Sequence, residues 1–280
     1  MKKILYSLLL IIPIFWISCD TIEDDQKLVY PKGQTRETTP ITVTSSKQRV
    51  LLEDFTGWRC TNCPAAAEKA TELITKYGDS LVVMAVHATS FAKPSAENNN
   101  VDFRTEYGGQ WATYFGCTSL PAGMINRTKI GNAYKVNDAS WDISIQNSLS
   151  TKEHIMDINL GAVHRVADNM ILVSCENEFL KNYASPTLIS ILVLESGIIG
   201  VQKSNDNPLI EDYEFNHVLR KNGLVDYFLS IMPISKGQKI NKNYLIDIDS
   251  DIKDIKKCSV VVFVTDAETK EVIQVNTIEL

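Results

Sequence analysis

The spacing of hydrophobic and polar positions changes along the chain, and each change predicts a new element. Residues Gln48–Phe55 form a short β-type run that ends before Thr56-Gly57. From Cys63 onward the apolar residues recur at steps of three and four as far as Tyr77, which is the pattern of one helix face, and Gly78 follows as a terminator. Residues Leu81–Ala88 are nearly all apolar and have the length of a strand buried on both faces. The order strand, helix, strand predicts a βαβ unit.

The next sixty residues continue the α/β pattern. The polar stretch Thr89–Asn100 is predicted to be a loop, and Val101–Gly116 a helix interrupted at Gly108-Gly109. Ser119–Ile125 is typical of a loop that enters a strand. Asn137 or Asp138 is a candidate cap for a last helix, whose apolar face comprises Trp141, Ile145 and Leu149. Together these elements predict an α/β domain over residues 47–150.

Beyond Ser150 the pattern becomes a series of short β-type runs with polar breaks. Only Asp212–Lys221 departs from it, and this stretch is predicted to be a long loop or a helical turn. Repeated short strands without long helices predict an all-β sandwich domain over residues 151–280. The predicted strands are 155–163, 170–178, 187–194, 226–234, 243–249, 259–265 and 271–280.

The N-terminus has the features of an export signal. Two lysines precede a stretch of apolar residues, 4–17, that is too short to span a bilayer comfortably. Ser18 stands directly before Cys19, an arrangement that resembles a lipobox, so residues 1–18 are predicted to be a lipoprotein signal peptide and the Cys19 sulfur to carry the lipid. The alternatives are ordinary cleavage nearby or an uncleaved anchor. The polar residues 19–46 are predicted to be a flexible tether.

Charge and composition exclude some of the functions that the chain could have. The formal net charge is −6, and loss of residues 1–18 removes two lysines, so the exported chain is strongly acidic and carries no electrostatic footprint for nucleic acid. No motif predicts a cofactor. A zinc site is also not expected, because there is no second Cys-x-x-Cys and no histidine pair; a set of Cys60, Cys63, Cys117 and His87 is the only candidate, and it is disfavoured.

The Cys60-x-x-Cys63 pair lies between a predicted strand and a predicted helix. At the start of a helix this spacing places both sulfurs on one side, and the positive helix end stabilises a thiolate. Cys60, nearer the solvent, is the predicted nucleophile, and Cys63 the predicted resolving thiol. Arg59 is expected to lower the thiol pKa further. The alternative is a fixed disulfide that stiffens the turn.

Two acids and three other cysteines leave alternatives open. Asp54 or Glu53 is a candidate carboxylate for proton transfer, or a simple strand-end acid. Cys175 and Cys258 are candidates for a second disulfide, or for two buried free thiols, which leaves Cys117 unpaired.

The residues from Phe55 to Pro64 resemble the active-site segment of thioredoxin-like proteins, in which a tryptophan precedes the cysteine pair. Leu120-Pro121 resembles the proline loop that faces the pair in those proteins; the resemblance implies a cis bond there and a role for Pro121 in holding a partner's backbone. The sequence departs from the family pattern at Arg59, which is inserted before Cys60.

The chain as a whole resembles the twenty-eight-kilodalton outer-membrane lipoprotein family, through Leu51–Gly57, Pro121–Gly123, Glu211–Arg220 and Val261–Asp266. The resemblance implies a thioredoxin-like domain followed by an immunoglobulin-like sandwich, and a lipid anchor in the outer membrane, on its periplasmic or cell-surface face. Two functions remain open. One is thiol–disulfide exchange on envelope proteins. The other is non-enzymatic surface binding or adhesion with the thioredoxin-like domain as scaffold; His217 with Arg220 is then a candidate ligand site, or a solvated loop.

Overall fold

The computed structural model describes residues 33–206, 208–248 and 250–280. The predicted signal peptide, Cys19 and the first part of the tether lie outside these residues. Among the described residues, no helix is long and apolar enough to cross a membrane. The helices are α1 Cys63–Tyr77, α2 Glu106–Tyr114 and α3 Trp141–Thr151; the strands are β1 Val50–Thr56, β2 Leu81–His87, β3 Ala122–Ile125, β4 Met156–Arg165, β5 Met170–Phe179, β6 Thr187–Glu195, β7 Ile198–Gln202, β8 Ile210–Phe215, β9 Val218–Ser230, β10 Lys239–Asp247, β11 Cys258–Asp266 and β12 Val272–Glu279.

The fold is mixed α/β and rich in strands, with a seven-stranded sheet at its centre in the order β12-β11-β6-β9-β2-β1-β3. β1 and β2 are parallel, as the βαβ pattern predicts, and β3 adds antiparallel to β1. β9 pairs antiparallel with β6 and touches β2 in parallel through Val218 and Ala85. The sheet therefore contains strands from both halves of the chain and continues across the predicted boundary at residue 150.

Successive side chains of β1 point to opposite faces of the sheet, so they pack in two different layers. Val50 and Leu52 pack with α1 and α3, whereas Leu51 and Phe55 pack on the opposite face with Trp111 of α2. At the other end of the sheet, β6 and β11 face a three-stranded sheet of order β10-β5-β4 across a core of aliphatic side chains. The C-terminal strands thus form two packed layers of antiparallel sheet.

Helix α2 runs without a break through Gly108-Gly109, so the predicted interruption is wrong. The helix begins after Thr105, whose hydroxyl accepts a hydrogen bond from the Gly108 N–H at 3.1 Å. A Cβ on Gly108 would collide with Thr105 and with Val86 of β2. The glycine therefore allows the helix to approach the sheet closely instead of ending it.

The stretch Asp212–Lys221 is neither a long loop nor a helical turn. It comprises the end of β8 and the start of β9, joined at His217, which has a φ of 56°. β8 pairs antiparallel with β7 as a separate two-stranded sheet. Five of its six residues are charged or aromatic, and three are exposed, so no alternating apolar pattern marks the strand.

Residues 33–46 were expected to belong to the flexible tether, and for this part the prediction is wrong. Gln34 forms a β-bridge with Tyr244 of β10, and Val43 forms one with Leu160 of β4. The Leu245 N–H donates to the carbonyl of Gly33 at 2.6 Å. The polar backbone of this segment is therefore satisfied by the edges of the three-stranded sheet, and burial of apolar surface is not required to hold it.

A buried ion pair connects β1 with the loop after β3. Arg127 donates two hydrogen bonds, of 2.8 and 2.9 Å, to the carboxylate of Glu53, and both side chains are almost completely buried. The guanidinium also lies over the rings of Trp111, Phe115 and Phe263, at 4.7, 5.0 and 4.9 Å from their centroids. Because Phe263 belongs to β11, this cluster also connects the two halves of the chain.

Replacement of Glu53 by Gln is expected to lower the free energy of unfolding by about 3–5 kcal/mol, because it leaves the buried Arg127 charge without its counterion. The measurement is urea denaturation followed by circular dichroism. The matched control is Glu72→Gln, which removes an exposed partner of Lys69 on α1 and should change stability little. Equal effects of the two substitutions would show that the buried pair contributes no special stability.

Candidate functional site

The two cysteines of the Cys-x-x-Cys pair form a disulfide, with Cα atoms 5.4 Å apart. The Cys60 N–H donates to the carbonyl of Gly57 in the turn after β1, and Cys63 is the first residue of α1. Pro64 lies in the first helical turn, where its missing N–H would have no intrahelical partner. The disulfide therefore lies at the amino end of a 15-residue helix.

Pro121 lies at the same edge of the sheet as this turn. In the register of β1 with β3, Phe55 pairs with Ala122, so Pro121 enters the sheet beside the end of β1. The Leu120–Pro121 peptide bond is cis, as the resemblance to thioredoxin-like proteins implies. Strand pairing thus brings the cysteine loop and the proline loop together, although they are far apart in sequence.

Both cysteines are buried: Cys60 is 3% exposed and Cys63 is 2% exposed. This difference is too small to confirm that Cys60 is the sulfur nearer the solvent. The end of the β7–β8 hairpin covers the cysteine loop. The side-chain amide of Gln202 donates to the carbonyl of Cys60 at 3.0 Å, and the Lys203 N–H donates to the carbonyl of Trp58 at 2.7 Å. Gln202 has no local sequence signal, since its contact spans 142 residues.

Trp58 is the packed side chain beneath this cover, at 2% exposure. Its indole N–H donates to the carbonyl of Lys93 at 2.9 Å. The guanidinium of Arg59 lies 4.7 Å from the indole centroid, and the ammonium of Lys203 lies 5.6 Å from it. Two cations therefore rest against one aromatic ring next to the disulfide. The effect of Arg59 on the thiol pKa stays a prediction.

The strand register separates the two candidate carboxylates. Glu53 faces the α2 layer and is paired with Arg127, whereas Asp54 shares the α1 face with Val50 and Leu52. Burial, together with the nearby charge of Asp138, raises the pKa of Asp54 to about 7. The Oδ1 atom of Asp54 is buried and has no hydrogen-bond partner among the described residues.

Asp54 and Cys63 line one cleft, which has a volume of about 290 Å³. Its walls are α1, the α1 face of β1 and β2, and the end of the β7–β8 hairpin with the turn into β9. The mouth is formed by exposed residues of α1 and β8, and the floor by buried residues of the sheet. The lining residues are Asp54, Thr56, Cys63, Ala67, Glu68, Ala70, Thr71, Val83, Ala85, His87, Gln202, Tyr213, Glu214, Phe215, Asn216 and His217.

His87 is a second polar group on this floor. It is 2% exposed, and neither ring nitrogen has a hydrogen-bond partner among the described residues. Burial, together with the charge of Arg220, lowers the pKa of His87 to about 3, so the ring is neutral at physiological pH. The available sequence signal is alternation: His87 continues the apolar series Leu81, Val83 and Ala85 on one face of β2.

His217 and Arg220 do not form a joint site. His217 lines the cleft, and burial lowers its pKa. Arg220 instead donates to the carboxylate of Glu195 at 2.9 Å, and its guanidinium lies 5.1 Å from the centroid of Phe103. Both pairing partners of Arg220 lie in the folded core, so a solvated loop does not describe this segment either.

Within the described residues, Cys117, Cys175 and Cys258 are buried free thiols, which agrees with the second alternative for Cys175 and Cys258. Cys175 lies in β5 of the three-stranded sheet and Cys258 begins β11 of the seven-stranded sheet. Burial raises the pKa of Cys175, and raises the pKa of Cys258 and Cys117 to about 12. Across residues 33–280, apart from 207 and 249, no group of three or more His, Cys, Asp or Glu side chains is placed to hold a metal ion.

The raised pKa of Asp54 makes stability depend on pH. Between about pH 4 and 7 the folded state holds a proton that the unfolded state releases, so the free energy of unfolding falls as the pH rises through this range. Asp54→Asn removes this dependence. The stability of the variant relative to the wild type should increase by about 2–3 kcal/mol from pH 5 to pH 8 in urea denaturation. The same stability difference at both pH values would contradict the raised pKa.

Comparisons with known proteins agree with this fold. HBP35 of Porphyromonas gingivalis matches with a TM-score of 0.61 and 17% identity, over 84% of this chain and 76% of that chain. A structural-genomics protein from Agrobacterium tumefaciens matches with a TM-score of 0.52 and 12% identity, over 84% of this chain and 96% of that chain. At these identities the likeness shows a shared fold alone. A search of the curated proteins finds no match.

A family model matches more of the sequence than either of the two predicted domains covers. The family is described as outer membrane protein Omp28, and the match covers residues 109–280. These residues comprise most of α2, the proline loop, α3 and all of the C-terminal strands. The match confirms the resemblance drawn from the sequence, and the chain belongs to the Omp28 outer membrane protein family.

Proposed function

We propose that this protein is an exported, lipid-anchored envelope protein that exchanges thiols and disulfides on other envelope proteins through Cys60 and Cys63. The observation that carries the proposal is that Asp54 lies buried, without a hydrogen-bond partner for Oδ1, in the same cleft as Cys63. A disulfide that only stiffens a turn has no need of an ionisable group beside it. A carboxyl with a pKa of about 7 can accept and release a proton near neutral pH.

In the reducing direction, the Cys60 thiolate attacks one sulfur of a substrate disulfide, and the other substrate sulfur leaves as a thiolate. Asp54 accepts the proton of the Cys63 thiol, and the Cys63 thiolate then attacks Cys60 Sγ. The second substrate sulfur leaves, and the Cys60–Cys63 disulfide remains. The substrate gains two electrons and the cysteine pair loses two. The amino end of α1 stabilises each thiolate that forms there. In this proposal Pro121 holds the backbone of the substrate, as its counterpart does in thioredoxin-like proteins.

Access to the disulfide requires movement of the hairpin. Three hydrogen bonds fasten the cover to the cysteine loop: from Gln202 to Cys60, from Lys203 to Trp58 and from Asn205 to Asn62. Val201 of the hairpin also packs in one apolar cluster with Trp58. The ion pair of Lys203 with Glu97, at 3.0 Å, is partly exposed. A substrate that reaches Cys60 therefore displaces a short segment and leaves the seven-stranded sheet in place.

The proposal includes a thioredoxin-like arrangement for residues 47–150 and an immunoglobulin-like one for residues 151–280. The parallel β1–α1–β2 unit and the antiparallel β3 support the first, and the two packed antiparallel layers support the second. It also includes signal cleavage before Cys19, lipid attachment to Cys19 and display on the periplasmic or cell-surface face of the outer membrane. The Omp28 match supports the outer-membrane location.

A second candidate function is favoured by the burial of both cysteines. If the cover stays closed, the disulfide fixes the turn before α1, and the protein acts as a non-enzymatic surface-binding or adhesion lipoprotein. The β-rich half then supplies the binding surface. The two functions differ in whether the disulfide is chemically accessible in the folded protein.

Insulin reduction by dithiothreitol distinguishes them. The full chain should accelerate the appearance of turbidity from reduced insulin, and Cys60→Ser should lose this acceleration, because the nucleophilic sulfur is absent. The matched control is Cys258→Ala, which removes a buried thiol outside the site and should retain the rate. A wild-type rate equal to that of Cys60→Ser would reject exchange and leave the scaffold function.

Lipid anchoring has its own test. Cells that express the wild-type chain should incorporate labelled palmitate into it, and Cys19→Ala should abolish the label, because no other cysteine follows the apolar stretch directly. Cys117→Ala, which changes a buried core thiol, should stay labelled. Label retained in Cys19→Ala would refute attachment at this residue.

A further inference from the structure

The floor of the cleft behind the disulfide contains two buried polar side chains with unpartnered atoms. Asp54 and His87 are both less than one-tenth exposed, and both line the cleft. Asp54 Oδ1 and both ring nitrogens of His87 are buried and without hydrogen-bond partners among the described residues. Buried polar groups in folded proteins are nearly always hydrogen-bonded, so these atoms indicate a partner from outside the chain.

The charges around the cleft determine whether it favours a cationic or an anionic partner. Three carboxyl side chains line it: Asp54 on the floor, and Glu68 and Glu214 at the exposed mouth. No lysine or arginine is among its lining residues. Of the two lining histidines, His87 is buried and His217 half-buried. Burial lowers the pKa of each below its ordinary value, so they do not offset this negative charge at neutral pH. Carboxylates on both sides of an opening attract cations and repel anions.

The remaining wall fits an organic cation better than a metal ion. Phe215 and Tyr213 present aromatic rings to the cleft, and aromatic faces attract ammonium groups. The described residues contain no group of three ligating side chains with the placement that a metal ion needs. The volume of about 290 Å³ is at the small end of the range for ligand sites.

We propose that the cleft between α1 and β8 binds a small molecule with a primary ammonium group. The ammonium donates hydrogen bonds to the carboxylate of Asp54 and to the unprotonated ring nitrogen of His87. Glu68 and Glu214 attract it at the mouth, and Tyr213 and Phe215 contact its carbon atoms. This binding goes beyond thiol–disulfide exchange and does not require it.

The test uses the oxidised full chain, in which the disulfide is closed, so that its result is separate from that of the insulin assay. The probe is n-butylammonium chloride, and binding is measured by saturation-transfer difference spectroscopy as a function of probe concentration. Sodium butyrate and n-butanol have the same chain length with a negative or a neutral head, and they serve as ligand controls. The wild-type chain should bind the ammonium with a dissociation constant of about 1 mM, which corresponds to a small ligand with one charged anchor.

Three variants locate the site. Asp54→Asn should weaken binding about tenfold or more, and the double variant Glu68→Gln with Glu214→Gln about fivefold, since each removes negative charge from the cleft. Glu72→Gln, on the same helix but outside the lining, should bind as the wild type does. The double variant changes only exposed side chains, so it decides the question even if Asp54→Asn perturbs the fold.

Three results would overturn the proposal. Equal binding of butanol and butylammonium would show that the cleft recognises the apolar chain and not the charge. Unchanged binding in both the Asp54 and the mouth variants would place the ammonium elsewhere on the protein. Absence of saturation up to about 0.1 M would show that the floor is satisfied by water.

Discussion

The pairing of β9 with β2 is the constraint on which the rest of this structure depends. The contact is short: Ala85 lies opposite Val218, and the Ala85 N–H donates to the carbonyl of His217 at 2.8 Å. It nevertheless merges the strands of both halves into one seven-stranded sheet. Because β9 begins directly after β8, this pairing also fixes the β7–β8 hairpin over the amino end of α1. The cover on Cys60 and the outer wall of the cleft both follow from it.

The first half of the fold was readable from sequence because its patterns are local. A short β-type run predicted β1, a nearly continuous apolar run predicted β2, a three- and four-residue repeat predicted α1, and the order of these elements predicted the parallel pair. β8 and the first part of β9 were not predicted, for a physical reason; the predicted strand 226–234 covers only the end of β9. β8 belongs to a small, largely exposed hairpin, and the register of β9 against β6 shifts repeatedly, so neither strand shows regular alternation. A strand held by edge pairing alone has no hydrophobic signature.

The residues of the site also divide into those that the local sequence predicts and those that it does not. Cys60, Cys63 and Pro121 were recognisable from their type and spacing, whereas the choice between Glu53 and Asp54 was not. Two leucines precede the two acids, and both pairs place one side chain on each face of β1. The local sequence therefore does not show which acid faces the cysteine site. Only the register with β2 and the position of Arg127 assign Glu53 to a structural pair and Asp54 to the cleft. The position of Gln202 at the cysteine loop depends on long-range strand pairing, and no local sequence pattern predicts it.

The segment from Gly33 to Ser45 determines how force reaches the folded protein. Any tension applied to the chain ahead of Gly33 meets first the hydrogen bonds to Leu245 and Leu160, and the bond from the Thr39 N–H to Ser174 Oγ at 2.9 Å. These bonds lie at separate points on β10, β5 and β4, so a pull has to break them one after another before it reaches β1. The three-stranded sheet therefore bears mechanical load on the N-terminus before that load reaches β1 and the cysteine loop.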